Sequence, residues 1–364
     1  MSQKAIQTPF TPWGMATGIG SLPFIDPEEA LDLIFSELPE CPHWPQLPRR
    51  GRQEHFVHQF LHPLVACNLL VRQDDRWVFD MSRDDCADNL TTFYTTCFAA
   101  EEGDAQALSS FLPSQEAAAG FHAFLARAGS DHFLEDALYV KGQIAGPLTI
   151  ALELKDEEGV PAYYREDLRD VLVRNLALNA RAQARALASL GRPVIVFVDD
   201  PGVRACGSRM HLALSCEVVQ QDLNTIFKAI HSEGCLGGVH SCEAVDWALL
   251  TKSAADIISV DAYRFGHSLI PYAGDLREFL ERGGTIAWGI APTLDDPWAE
   301  SVESLAKRLR GLCGELFQHS ADPGEVPCRS MITPACGTGL LSKEDARRIY
   351  YLAAGVSRLI RSTH

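Results

Sequence analysis

The sequence predicts an α/β fold, a (β/α)8 TIM barrel carrying an inserted hairpin and helical segment between its second and third strands. Eight short β-type runs are spread along the chain, and from residue 137 onward they alternate steadily with stretches of helical periodicity. Length sets no obstacle, since 364 residues suit one such barrel as well as two average domains. The chain is therefore read as one barrel domain spanning 1–364, with the insertion at approximately 50–135.

The first two strands are "WGMATGIGS" (13–21) and "PHWPQLP" (42–48). The insertion follows, and within it "LLVRQDDRWVFDMS" (69–82) reads as a hairpin turning at "QDDR", placed to cover part of the barrel mouth. Strands three and four are "ALYVKGQIAG" (137–146) and "PVIVFVDD" (193–200). Between them, residues 165–191 repeat apolar side chains at three- and four-residue intervals and stop at a glycine, the pattern of an amphipathic helix. "CLGGVHSC" (235–242), "DIISVDAY" (256–263), "GTIAWGIAP" (284–292) and "SMITPACG" (330–337) complete the set. Helical stretches at 304–317 and 342–362 flank the last strand, and the second opens on a serine suited to capping.

Composition narrows the function. Hydrophobic residues make up 46% and charged residues 22%, which fits a soluble globular chain with a large core. A net charge of -16 argues against nucleic acid as a partner, because phosphate binding needs a basic surface. No run of eighteen apolar residues is present to cross a membrane, and the N-terminus lacks a secretory pattern, so the cytoplasm is the expected compartment. Eleven scattered cysteines do not frame a disulfide scaffold; they are expected to be reduced, and mostly buried.

In a parallel barrel, chemistry collects where strands end, at the C-terminal face. Strand one ends in Gly20-Ser21, strand four in Asp199-Asp200-Pro201, strand five in His240-Ser241-Cys242, strand six in Asp261 and strand eight in Cys336-Gly337. His240 and Cys242 stand two apart and leave the same face of an extended strand, a geometry for gripping one ion. Zinc accepts imidazole nitrogen and thiolate sulfur, and a catalytic site uses three protein ligands plus an exchangeable position. Cys336 can bring the third ligand, with Asp261 or water as the fourth. Each residue also has a plainer reading: His240 and Cys242 as core, Asp199 and Asp200 as helix caps or turn residues, Gly20 as a tight turn.

The chain resembles the family that unites cobalamin-independent methionine synthase with uroporphyrinogen decarboxylase. "TGIGSLP" (17–23), "VKGQIAGPLT" (140–149), "FVDDPG" (197–202), "HSC" (240–242) and "ACG" (335–337) carry the resemblance, which is to the catalytic half of the synthases. It implies a zinc ion held by His240, Cys242 and Cys336 that activates a thiol such as homocysteine for methyl transfer, as in methionine biosynthesis. It further implies that Gly20 and Ser21 hold the substrate carboxylate and that Asp199, in the place of the "DEP" motif, holds its amine. Catalysis would then rest on Asp199, His240 and Cys242. The synthases have a glutamate ligand where this chain offers Asp261.

The 364 residues leave no room for the second barrel that helps the full-length synthases bind folate. A methylcobamide or a corrinoid protein is therefore expected as methyl donor in place of methyltetrahydrofolate. Two rival readings remain at this stage. A porphyrinogen decarboxylase would need arginines near the first strand, and "GIGSLPFIDPEEA" has none. A noncatalytic zinc- or thiol-binding module would use the same three ligands.

Overall fold

The computed structural model describes residues 10–74, 76–130, 133–208, 213–317 and 326–362. Its strands are β1 (Met15–Ala16), β2 (Leu70–Gln73), β3 (Arg76–Phe79), β4 (Val140–Ala145), β5 (Lys155–Asp156), β6 (Val194–Asp199), β7 (Leu236–Ser241), β8 (Ile257–Val260), β9 (Thr285–Ala291) and β10 (Ser330–Pro334). Seven of them form one curled sheet in the order β1-β10-β9-β8-β7-β6-β4, every pair parallel. Nearly every residue in these strands is buried, as a parallel sheet covered by helices on its outer face requires. The helices Glu166–Ala188, Val302–Leu316 and Lys343–Arg361 fall where the periodicity places them, the last capped by Ser342.

The second predicted strand closes this sheet without forming a regular ladder. Ser21 pairs with Gln46 and His43 pairs with Lys141, both in parallel, so residues 43–46 join the β1 edge to the β4 edge. Pro42, Pro45 and Pro48 have no N–H to donate, which rules out a continuous ladder. Backbone bonds remain at the two bridges, Gln46 N donating to the Gly20 carbonyl at 3.0 Å and Lys141 N to the Pro42 carbonyl at 2.9 Å, and side-chain amides add to them. Gln143 Nε2 donates to the Trp44 carbonyl at 2.9 Å, and Trp44 Nε1 donates to Gln183 Oε1 at 3.0 Å. Gln183 returns to the Gln143 carbonyl at 3.3 Å, tying the segment to β4 and to helix Glu166–Ala188.

Alternation along the strands decides what fills the barrel. Met15, Ile195, Phe197, Ile257, Ala287 and Met331 form a separate inner cluster, distinct from the larger core between sheet and helices. The Phe197 ring occupies the centre, and a side chain at Gly238 would put its Cβ 2.4 Å from that ring. The glycines of "CLGGVHSC" are thus a packing requirement of the strand that carries His240.

The hairpin is present, with β2 and β3 antiparallel and Gln73 opposite Arg76; Asp75 of the turn lies outside the described residues. It does not wall the central cavity, contrary to expectation. β3 pairs with β5 just beyond helix Pro147–Glu153, and the hairpin lines a neighbouring hollow with His55, His58 and Glu153 instead of the central cavity. Among the described residues, no helix is long and apolar enough to cross a membrane. The eleven cysteines are all free of disulfides, five of them buried and six partly buried, fewer buried than expected.

Gly238→Ala overpacks the barrel centre and should lower stability by about 1–3 kcal/mol in denaturant titration. Adding Phe197→Leu to the same chain should recover part of that loss; an unchanged midpoint for the single variant would refute this account of the barrel centre.

Candidate metal centre

The inward-facing positions of β6 and β7 lead directly to the site. Ile195, Phe197 and Asp199 share one face of β6, as Gly238 and His240 do on β7, with Cys242 two residues further on. His240 is buried, and its Nδ1 lies 3.0 Å from Ser259 Oγ on β8. Its Nε2 is buried with no hydrogen-bond partner. A buried imidazole nitrogen left in this way is costly unless a cation or ligand completes it.

Cys336 lies two residues past the end of β10, in the loop, where strand alternation no longer sets direction; the register shift beside Thr333 and Pro334 takes up an extra residue in β9. Ligand atoms of His240, Cys242 and Cys336 then lie within 4.8 Å of one another. Gly337 lets the following loop pass Ser21, since a Cβ there would sit 2.2 Å from Ser21 Oγ. Thr338 N and Oγ1 donate to the Ser21 carbonyl at 2.9 and 3.0 Å, joining the loops after β10 and β1.

The donor set fits zinc, with two sulfurs and an imidazole nitrogen converging and a fourth position open to the cavity. The hydrogen bond with the Cys336 thiol, helped by His240, holds the Cys242 thiol well below the usual range and pushes Cys336 up. This direction favours the thiolate at Cys242, the form in which a cysteine binds a metal.

Asp199 and Asp200, adjacent in sequence, do different things. Asp200 caps helix Pro147–Glu153, its carboxylate accepting from the amides of Leu148 and Thr149 at 3.0 and 2.9 Å. Asp199 faces the barrel, and its Oδ1 is buried without a partner. Burial pushes its pKa up to about 6 against the pull of His240 and Lys141. Lys141 is fully buried, donates to the Ile19 carbonyl at 2.6 Å and lies 4.5 Å above the Phe197 ring. Burial brings its pKa down to about 8 although Asp199 favours the charged form.

Asp261 is buried at the end of β8 but is not part of the ligand cluster. Its Oδ1 accepts from the Arg264 amide at 2.8 Å as the cap of helix Ala262–Phe265. Ser21 lines the central cavity, of about 370 Å³, together with Asp199, His240, Cys242 and Cys336. Gly20 packs behind it, where a Cβ would meet Gln46 Oε1 at 2.5 Å.

Sequence reasoning missed Glu54, which also lines the cavity. Its Oε1 pairs with Arg50 Nε at 2.6 Å, its Oε2 is buried without a partner, and burial raises its pKa. It ends a short 3-10 turn with no periodic signal; only its place just after the second strand hinted at the mouth.

A curled parallel barrel with a His-Cys-Cys cluster at the strand ends defines the class of site. No family model matches the chain, and no curated protein of similar sequence is found. Among solved structures, a B12-independent methionine synthase from Shewanella sp. W3-18-1, in complex with selenomethionine, is similar at 18% identity and a TM-score of 0.46, over 66% of this chain and 67% of that one. A candidate vitamin-B12-independent methionine synthase from Listeria monocytogenes is similar at 17% identity and a TM-score of 0.44, over 66% and 69%.

Lys141 gives the barrel a pH signature. Its folded pKa of about 8 lies below the roughly 10.4 of an unfolded lysine, so the unfolded chain binds more protons between those values. Stability of the metal-free protein should gain a contribution as pH rises from 8 to 10. Lys141→Met should remove that contribution in paired denaturant titrations, and parallel pH curves for the two proteins would contradict the assignment.

Proposed function

We propose that the protein is a zinc-dependent methyltransferase of the methionine synthase type, moving a methyl group to a small thiol such as homocysteine. The observation that carries this reading is the convergence of His240 Nε2, buried and unpartnered, with the sulfurs of Cys242 and Cys336 on an open cavity. These three residues would hold the ion. Zinc bound there supplies a cation that lowers the pKa of a coordinating thiol, making its thiolate available near neutral pH.

The remaining steps belong to the chain. Ser259 fixes the His240 ring through Nδ1, leaving Nε2 for the ion. Asp199 and Glu54 each present an unpartnered carboxylate oxygen at the cavity, a charge match for the substrate ammonium. Ser21 and its neighbour Gly20, at the end of the first strand, receive the substrate carboxylate. The thiol proton leaves to solvent, the sulfur lone pair forms the new bond to the methyl carbon, and the bond between methyl and donor breaks with its electron pair staying on the donor.

The donor we favour is a methylcobamide, free or on a corrinoid protein. Leu294 and Leu340 stand on the cavity rim at 67% and 89% exposure, an apolar edge suited to a broad macrocycle. A porphyrinogen substrate fits poorly: among the described residues no arginine or lysine lines the cavity to meet its carboxylates. The three-ligand set with an open side also favours catalysis over a closed, purely structural zinc site.

Cys242→Ser and Cys336→Ser should each bind one equivalent of zinc fewer than the wild type by elemental mass spectrometry. Both should lose methyl transfer from methylcobalamin to homocysteine while keeping the far-UV circular dichroism spectrum. Transfer retained without that metal would overturn the proposal. Asp199→Asn should raise the KM for homocysteine roughly ten- to a hundredfold, the worth of a charge-assisted hydrogen bond; an unchanged KM would remove Asp199 from substrate binding.

A further inference from the structure

A second group of metal-binding side chains stands beside the cavity, outside the site just described. His55, His58 and Glu153 bring one ligand atom each to within 4.8 Å of one another. The two histidines flank a short turn of the insertion, and Glu153 ends the helix Pro147–Glu153 that follows β4. The imidazole rings lie 4.8 Å apart, centroid to centroid.

The hydrogen bonding around His58 orients it as a ligand. Its Nδ1 is 3.3 Å from the Arg52 carbonyl, which can only accept, so Nδ1 carries the proton. In the neutral ring the Nε2 lone pair then points outward, and Nε2 faces Glu153 Oε1 across 3.7 Å. Two acceptors facing each other need a cation or an N–H donor between them; His55, whose Nδ1 accepts from the Val57 amide at 3.4 Å, binds a metal only by giving up that bond or its Nε2 proton. A proton on the His58 imidazole would serve, but a second imidazole at the same point opposes protonation and favours a shared metal ion. The carbonyl behind Nδ1 is the kind of outer contact that fixes a metal-bound histidine.

We infer that His55, His58 and Glu153 form a second metal site, taking a divalent first-row cation such as zinc, cobalt or nickel. Two imidazoles and one carboxylate select this class over magnesium or calcium, which prefer oxygen alone. A tetrahedral shell places neighbouring ligand atoms about 3.4 Å apart, so the side chains close inward by about an ångström on binding. His55 and Glu153 are exposed and His58 is partly so, which leaves them room to do this. His55 also lines the central cavity, so the ion would clamp the wall formed by residues 54–56 to the end of helix Pro147–Glu153.

The site is independent of the proposed methyl transfer, and cobalt(II) separates the two. Untagged metal-free protein titrated with cobalt(II) should take up two equivalents. One should show the near-ultraviolet thiolate-to-cobalt charge-transfer band of the cysteine site; the other should add only weak visible absorption. His58→Ala should lose the second equivalent, or bind it at least tenfold more weakly, with the charge-transfer band intact. Glu153→Gln, at an exposed position, should weaken it in the same direction. In Cys242→Ser/Cys336→Ser the band should vanish while the equivalent without charge transfer stays. A wild type that binds no cobalt outside the charge-transfer site, or a His58→Ala protein with undiminished uptake, would overturn the inference. Loss of the charge-transfer band from the wild type alone would count against the cysteine site and leave this one standing.

Discussion

The structure depends on how a segment that cannot form a ladder closes a parallel barrel. Three prolines within residues 42–48 thin out the donors a strand would offer, leaving Trp44 and Gln46 to donate, yet this stretch has to connect β1 to β4. The connection is made by backbone bonds of Pro42, Trp44 and Gln46 to Lys141, Gly20 and Leu22, reinforced by two buried amide side chains, Gln143 and Gln183, which both bond to Trp44. Inside a barrel an unmade hydrogen bond costs about 1–3 kcal/mol, so these amides are as structural as any ladder. The closure also places Ser21 and Glu54 opposite the strand ends of β6 and β7, around one cavity.

Within that closed wall, burial and charge set the character of the site. Asp199 and Lys141 are both shielded from water, and each is penalised by burial while the other offsets part of the cost. The result is a nearly neutral lower barrel beneath a mouth that offers two unpartnered carboxylate acceptors, Asp199 Oδ1 and Glu54 Oε2, beside the buried His240 Nε2, which makes no hydrogen bond. Acceptors without donors are what cations satisfy. A metal ion and an ammonium group are the two kinds of cation that the proposed reaction would bring.

Much of this was legible in the sequence because it follows from short-range rules. The buried run of β6, the periodicity of helix Glu166–Ala188 and the H-x-C spacing all act over a few residues. Features set by distant partners were harder to read. Asp199 and Asp200 looked alike until alternation from Ile195 and Phe197 sent one inward and left the other to cap a helix fifty residues earlier in the chain. Cys336 was identifiable as a third ligand, but its direction is set by the loop beyond the end of β10, where strand alternation no longer applies. The hairpin was local and readable, whereas its pairing with Lys155–Asp156, and hence the neighbouring hollow it lines, was not. Asp261 carried its own signal, an Asx cap three residues before Arg264, that competes with metal ligation. Glu54 ends a short turn among arginines, where neither helical nor strand periodicity applies.

The central claim is that His240, Cys242 and Cys336 hold one ion that a substrate thiol can reach. X-ray absorption at the zinc edge, on His58→Ala protein loaded with a single equivalent and measured with and without homocysteine, tests it most directly. The account predicts two sulfur scatterers and an imidazole in the absence of the thiol, and three sulfurs in its presence. A sulfur count that does not change on adding homocysteine, or a shell without the two cysteine sulfurs, would contradict it.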